Sequence, residues 1–401
     1  MSGVFVTAKL AKIAQINPPL GVKLAPSDPV SFVPMASVSA ETARVESTTE
    51  RPYAEVSKGY TAFLSGDVLV AKITPCFENG KIAQAVLPHP HGFGSTEFHV
   101  IRPIAGVSDG RYLHHILRLE QLRTEGQRRM TGSGGQRRVP ANFLAEVDVP
   151  LPPLPEQRRI AAILDQADTL RNQRRAAIAQ LDSLTQSLFL DMFGSAEAEK
   201  WPMATIADIA DEQNGSIRTG PFGSQLLHSE FVSEGVAVLG IDNAVANEFR
   251  WGERRFITQA KYRELQRYTV RPGDVLITIM GTCGRCAVVP NDVPVAINTK
   301  HLCCITVDQK KCLPLFLHAY FLRHPTARKY LEQTAKGAIM AGLNMGIIKA
   351  MPVALPPLPL QQTFATRVQA IEALKAQHRT ALAEADTLFA SLQQRAFDGS
   401  L

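Results

Sequence analysis

Seven arginines (Arg111, Arg118, Arg123, Arg128, Arg129, Arg137 and Arg138) crowd residues 111–138 against two acids, Glu120 and Glu125. The stretch closes on T-G-S-G-G-Q-R-R (131–138), a Gly-rich loop that offers Gln136, Arg137 and Arg138. A guanidinium is a rigid fork of donors that fits guanine's major-groove edge, and an amide fits adenine. These three residues therefore form a candidate base-reading loop. A solvated basic face that touches only phosphate is the other reading of the same residues. Two further loops in the first half, T-P-C-F-E-N-G-K (74–81) and G-F-G-S-T-E-F (92–98), bring Lys72, Asn79, Lys81, Ser95 and Thr96. In the second half, S-I-R-T-G-P-F-G-S-Q-L (216–226) and G-T-C-G-R-C (281–286) supply Arg218, Ser224, Gln225, Thr282 and Arg285, with Asn298, Lys300 and His301 close behind. The stretch 336–345 carries Lys336 and Asn344 and is far less basic than 131–138. Glycine lets backbone approach a phosphate closely, but it also simply makes turns.

The elements that must position these loops are written twice. L-P-P-L-P-E-Q (151–157) returns as L-P-P-L-P-L-Q (355–361), an offset of 204 residues. Each copy precedes a long run without Gly or Pro that ends at Phe193-Gly194 or at Phe397-Asp398-Gly399. Upstream, G-D-V-L-V (66–70) matches G-D-V-L-I (273–277), and Leu10 and Ile13 stand opposite Ile206 and Ile209. Apolar residues at Ile160, Leu164, Ala167, Ile178, Leu181, Leu188 and Met192 fall on the a and d positions of one heptad register. Phe364, Val368, Ile371, Leu382, Ala385 and Leu392 repeat the register, and charge interrupts both seams, at Arg171–Arg175 and at Lys375 and His378. Pro155 and Pro359 suit a first helical turn and the two glycines suit the stops. The spacing thus predicts two long helices, each about 57 Å at 1.5 Å per residue. Paired antiparallel, they would place two heads at opposite ends of a rod and act as a ruler between two DNA segments. Short β-branched runs at 68–73, 275–280, 294–298 and 301–307 predict strand-rich heads, with helices over 111–123 and 314–333.

Composition narrows the chemistry. The 401 residues carry 43 Lys and Arg against 37 Asp and Glu, so a polyanionic partner fits and an acidic disordered chain does not. No apolar run approaches the roughly 18 residues needed to span a bilayer, and Lys9 and Lys12 interrupt any leader-like start; a cytoplasmic chain is expected. N-P-P-L (17–20) looks like an adenine methyltransferase motif, but it lacks the aromatic that stacks on a flipped base and lies too near the start for a preceding cofactor-binding strand. No G-x-x-x-x-G-K-[ST] phosphate loop occurs. Asp292 with Asp308-Gln309-Lys310 reads as a charged turn before it reads as a nuclease site. C-G-R-C (283–286) with Cys303, Cys304 and Cys312 suggests a zinc site on paper, but buried reduced cysteines are the expectation, since Cys303 and Cys304 should point to opposite faces of a strand. A stand-alone DNA methyltransferase or nuclease stays as the alternative, distinguished by label transfer from S-adenosylmethionine without any partner.

The repeated P-L-P-P-L-P-x-Q-plus-helix element (150–193, 354–397), T-G-P-F-G-S-Q-L with G-D-V-L-I-T-I-M-G-T-C-G-R, and I-T-P-C-F-E-N-G-K with G-F-G-S-T-E-F-H-V together resemble the specificity (S) subunit of type I restriction–modification systems. The resemblance covers essentially the whole chain and implies an α+β fold: two strand-rich target recognition domains, 1–154 and 195–358, joined by a central spacer helix (155–194) and a distal one (359–401) as an antiparallel coiled coil. It implies a non-catalytic subunit reading the two halves of a bipartite double-stranded DNA target. Two methyltransferase subunits and motor-nuclease subunits would be its partners, and S-adenosylmethionine, ATP and magnesium would belong to them. Leu360 departs from the glutamate expected by comparison with Glu156.

Overall fold

The computed structural model describes residues 5–133, 135–194, 201–335 and 342–401. They divide into two units, Met1–Ala177 with His378–Leu401, and Ile178–Gln377. The two are built alike. In the first, one antiparallel sheet runs Ala14–Ile16, Phe98–Pro103, Val68–Ala71, Ile82–Gln84. A second runs Thr49–Pro52, Pro29–Val33, His91–Gly94, Thr61–Leu64, and its central pair is parallel. The second unit repeats this with Ile217–Thr219, Leu302–Ile305, Val275–Thr278, Cys286–Val288. Its other sheet runs Phe231–Val232, Phe256–Ile257, Val236–Leu239, Ala296–Asn298, Thr269–Val270, again around one parallel pair.

Alternation along the strands explains why V-L-V and V-L-I are apolar throughout. Val68 and Val70 face a helical core with Tyr112, Leu113 and Ile116, whereas Leu69 faces the other sheet with Phe63, Phe98 and Val100. Val275 and Ile277 likewise face Phe316, Leu317 and Tyr320, and Leu276 faces Leu239 and Ala296. A strand covered on both sides needs apolar residues at every position. Cys303 and Cys304 do fall on opposite faces. The expected helices at 111–123 and 314–333 each break in two: Gly110–Leu117 and Glu120–Arg128, Pro314–Arg323 and Pro325–Ala335. Pro325 forces the second break, because the residue before a proline is kept out of the helical region, and His324 sits at ψ 132°.

The two long helices are Leu154–Phe193 and Leu358–Asp398. Within the first unit they run antiparallel: Arg159 donates to the Leu401 carbonyl at 2.8 Å, while Arg175 meets Asp386 at 3.1 Å. Within the second, Phe189 and Phe193 pack on Phe364 with ring centroids 5.7 and 5.2 Å apart, and Lys375 reaches Asp182 at 2.7 Å. Of the expected seam, Ile160, Leu164, Phe364, Val368 and Ile371 are buried; Ile178, Leu181, Leu188, Leu382 and Leu392 are half-buried. The buried seam residues also touch the strand-rich bodies, so the helices pack on more than each other. Ile160 and Leu164 share a core with Leu10, Ile13 and Phe389.

Each helix is fastened to its unit by a glutamine. Gln157 accepts from the Asp109 N–H and donates to the Val107 and Pro152 carbonyls, at 2.9, 3.0 and 2.9 Å. Gln361 repeats the pattern with the Leu313 N–H and the Lys311 and Pro356 carbonyls, at 2.8, 3.1 and 2.9 Å. Every partner is displaced by the same 204 residues. Both side chains are fully buried, so this is what the last residue of the P-L-P-P-L-P-x-Q element does.

Candidate nucleic-acid interface

In both units the polar loops gather where the parallel strand pair ends. In the first, Lys72 N–H donates to the Glu97 carbonyl at 2.8 Å, Val139 N–H to the Lys72 carbonyl at 2.8 Å, and Thr74 N–H to the Arg137 carbonyl at 2.9 Å. Three loops, around 72–80, 95–99 and 131–139, are thereby stitched together. The 131–138 loop closes on itself, with Thr131 and Arg138 exchanging backbone hydrogen bonds at 3.0 and 2.8 Å. Beneath it His99 donates from Nε2 to the Val139 carbonyl at 2.9 Å and accepts at Nδ1 from the Asn17 amide at 3.0 Å. Burial holds this imidazole below its ordinary pKa, so it stays neutral as the bonding pattern requires.

The seven arginines turn out to have separate duties. Arg111 and Arg118 pair with Asp165 and Asp168 of the long helix. Arg123 donates to the Glu78 carbonyl at 2.9 Å, and Arg128 and Arg129 pair with Glu125. Arg138 grips Glu97 with both arms, at 2.7 and 3.0 Å, and this hydrogen bonding lowers the Glu97 pKa despite burial. Arg138 is thus the anchor of its loop rather than an open base reader. Only Arg137 makes no side-chain hydrogen bond or ion pair among the described residues; it and Gln136 are exposed. Asn79 is exposed, while Lys81 is drawn inward to the Met35 carbonyl at 3.1 Å.

In the second unit the strand pair Val236–Leu239 and Ala296–Asn298 ends at the same kind of cluster. Thr299 N–H donates to the Leu239 carbonyl, Ile279 N–H to the His301 carbonyl, and Thr278 N–H to the Arg285 carbonyl, each at 2.9 Å. Gly220 lies so close that a Cβ there would stand 2.0 Å from the Asn298 carbonyl oxygen, which requires glycine. Arg285 and Thr282 are exposed and Lys300 half-exposed, without side-chain partners among the described residues. Burial first, then the charges of Lys300 and Arg255, hold His301 below its ordinary pKa. Ser224 is exposed; Gln225 accepts from the Tyr268 hydroxyl at 2.9 Å and from the Phe222 N–H at 3.2 Å, which holds its turn.

Two expected contacts are corrected. Arg218 is 9% exposed and its guanidinium is engaged by Asp274, by the Thr306 hydroxyl at 3.0 Å and by the Thr269 and Gly215 carbonyls. Asn344 caps the helix Met345–Lys349 by accepting from the Ile347 N–H at 2.9 Å. Arg218 is held inside the protein, whereas Asn344 stays exposed while it caps its helix. Lys336 lies outside the described residues. Arg255, which precedes the strand Phe256–Ile257 and pairs with Asp242 at 3.1 Å, had no local signal. Neither did Asn17 or Glu97. Among the described residues no group of three or more His, Cys, Asp or Glu could hold a metal, and no helix is long and apolar enough to cross a membrane. Cys286, Cys303, Cys304 and Cys312 are buried while Cys76 and Cys283 are half-buried, and burial raises the pKa of Cys303 and Cys312 to about 12.

The repeat has a counterpart among known proteins. The family model for the type I restriction modification DNA specificity domain matches residues 29–180 and again 245–385. The chain belongs to this family. Each specificity-domain match takes in one loop cluster and a stretch of long helix. The EcoAI specificity subunit of Escherichia coli is 35% identical over 196 residues, 48% of this chain and 33% of that subunit. The EcoBI specificity subunit, also from Escherichia coli, is 26% identical over 304 residues, 68% of this chain and 62% of that one. The match thus spans about a third of the length of the EcoAI relative. Among solved structures, the S subunit of a type I restriction–modification system from M. genitalium superposes with a TM-score of 0.59 at 12% identity, over 98% of this chain and 96% of that one. A chain from a type I R-M system solved for complex assembly and conformational transition gives 0.53 at 19%, over 99% and 98%. Both likenesses show a shared fold.

Proposed function

We propose that the chain is the non-catalytic DNA-recognition subunit of a type I restriction–modification complex, with residues 1–154 and 195–358 each reading one half of a bipartite double-stranded target. The observation that carries this is the pairing of sameness and difference in the two family matches. Both units bring three or more loops to the end of one parallel strand pair, yet they present different side chains there: Gln136 and Arg137 with Lys72 in one, Thr282, Arg285 and Lys300 in the other. Two readers of unlike sequence need that combination. Helices of 40 and 41 residues, about 60 Å each, suit segments 155–194 and 359–401 to setting the unread gap.

Two copies of one methyltransferase subunit, together with motor-nuclease subunits, complete the assembly; S-adenosylmethionine, ATP and magnesium belong to them, in the cytoplasm where the DNA is. Two equivalent docking faces support the count. Leu170 and Leu374 are exposed at positions 204 apart, and so are Leu184 and Leu388. Each unit therefore displays one such leucine from each helix, on a surface where charged residues would be expected.

Arg137→Ala tests the base-reading assignment. It is expected to weaken binding about 5- to 150-fold, the ~1–3 kcal/mol of one bidentate base contact, at duplexes with the first half-site intact. Melting temperature should not move, because the side chain supports nothing internally. Equal weakening on every duplex, read by titration at fixed salt, would reduce Arg137 to a phosphate contact.

A further inference from the structure

The charges that interrupt the heptad seam form the same ion triad twice. In the first unit Arg171 occupies an a position, with its side chain 15% exposed, and reaches Asp168 one turn back on its own helix at 2.6 Å. Its other arm meets Asp386 of the opposite helix at 2.5 Å. In the second unit Lys375 is 7% exposed; it reaches Glu372 on its own helix at 2.8 Å and Asp182 opposite at 2.7 Å. All three members are related by the offset of 204: 171 to 375, 168 to 372, and 182 to 386. Chance does not place a buried cation and two acids so. Burial opposes the charge on Lys375, yet the hydrogen bonds it donates to Asp182 and Glu372 hold its pKa above the ordinary value.

We propose that Arg171 and Lys375 are positioning residues that fix the stagger of the two long helices. Apolar a and d residues pack nearly as well after a slip of one heptad, about 10 Å along the axis. A buried cation does not, because the slip sets Arg171 opposite Arg379 or Gln393, and Lys375 opposite Arg175 or Phe189, in place of the acid. A single polar residue at an a position specifies register in this way at some cost in stability. Met or Leu would pack at least as tightly there, so the triads add selectivity of alignment. On the functional reading above, stagger sets the length of the unread gap, and that part of the inference rests on it.

The test compares the wild-type chain with Arg171→Met/Lys375→Met, and with Asp182→Asn/Asp386→Asn, which removes only the arms that cross between helices. Spin labels at Leu170→Cys and Leu388→Cys, in a Cys76→Ser/Cys283→Ser background, report stagger by electron–electron distance without DNA. One narrow distance is expected for wild type and for Arg171→Lys, since Lys375 shows that lysine suits the site. Both sets of disrupting variants are expected to show a broadened or second distance, shifted by about one heptad. They should also select DNA with more than one gap length. If the Met pair fails to fold, the Asn pair decides. A single unchanged distance in the folded disrupting variants overturns the inference. Wild-type chain that selects no two-part site, while the distances shift as stated, would instead defeat the functional reading.

Discussion

Arg218→Ala is expected to destabilise the second unit by about 3–5 kcal/mol, the usual cost of stripping one partner from a buried ion pair. Asp274, 1% exposed, would keep its charge with only Thr306, the Cys304 thiol and the Arg271 N–H for company. For a unit of this size the loss corresponds to roughly 6–20 °C in melting temperature. The counterpart in the first unit is instructive. Asp67 is also buried and is held by Arg102 at 2.8 Å, but Arg102 comes from the strand Phe98–Pro103, where the second unit has Thr306. The cation has moved to the facing strand while the aspartate of G-D-V-L stayed. Calorimetry of Arg218→Ala beside Arg137→Ala separates the two roles. A large fall for the first and none for the second is expected. Intact stability of Arg218→Ala with lost DNA affinity would restore Arg218 as a contact residue.

Gln361→Leu should have an effect of similar size by another route. The leucine fills much of the same space but leaves the Leu313 N–H and the Lys311 and Pro356 carbonyls without partners in a site closed to water. Each buried unpaired group costs about 1–3 kcal/mol, so the three together cost about 3–9 kcal/mol. Gln361→Glu should cost at least as much, because its carboxylate still accepts from Leu313 but buries a charge against two carbonyl oxygens that it cannot donate to. Hydrogen exchange reads the local consequence. The Leu313 amide should lose protection in Gln361→Leu while the Asp109 amide, held by Gln157, does not. Equal loss at both amides would mean that the clamp is not local to its unit.

The architecture was largely legible because a duplication prints its register in the sequence. The offset of 204 located the helices and the Pro-rich entries, and a similar offset of 207 matched the strands of G-D-V-L-V and G-D-V-L-I, without any contact being known. Burial was not legible. Arg218 sits in a Gly-rich loop motif that looks like a surface, and only the fold shows Asp274 beneath it. Arg138 and Arg137 are adjacent and chemically identical, yet Glu97, some forty residues away, takes one and leaves the other. The charged gap in the helical seam read as an interruption because one acid of each triad lies on the opposite helix. The same offset that revealed the repeat pairs Asp182 with Asp386, so a signal for the triads was present. Gln157 and Gln361 were visible as repeated letters, but their partners lie nearly fifty residues upstream.

Selection from a random duplex library with the purified full-length chain tests the central claim most directly. Two specified segments separated by one fixed number of unspecified base pairs are expected, and Arg137→Ala should blur only one of them. A single contiguous motif, or enrichment that follows charge alone and vanishes uniformly with salt, would contradict the account.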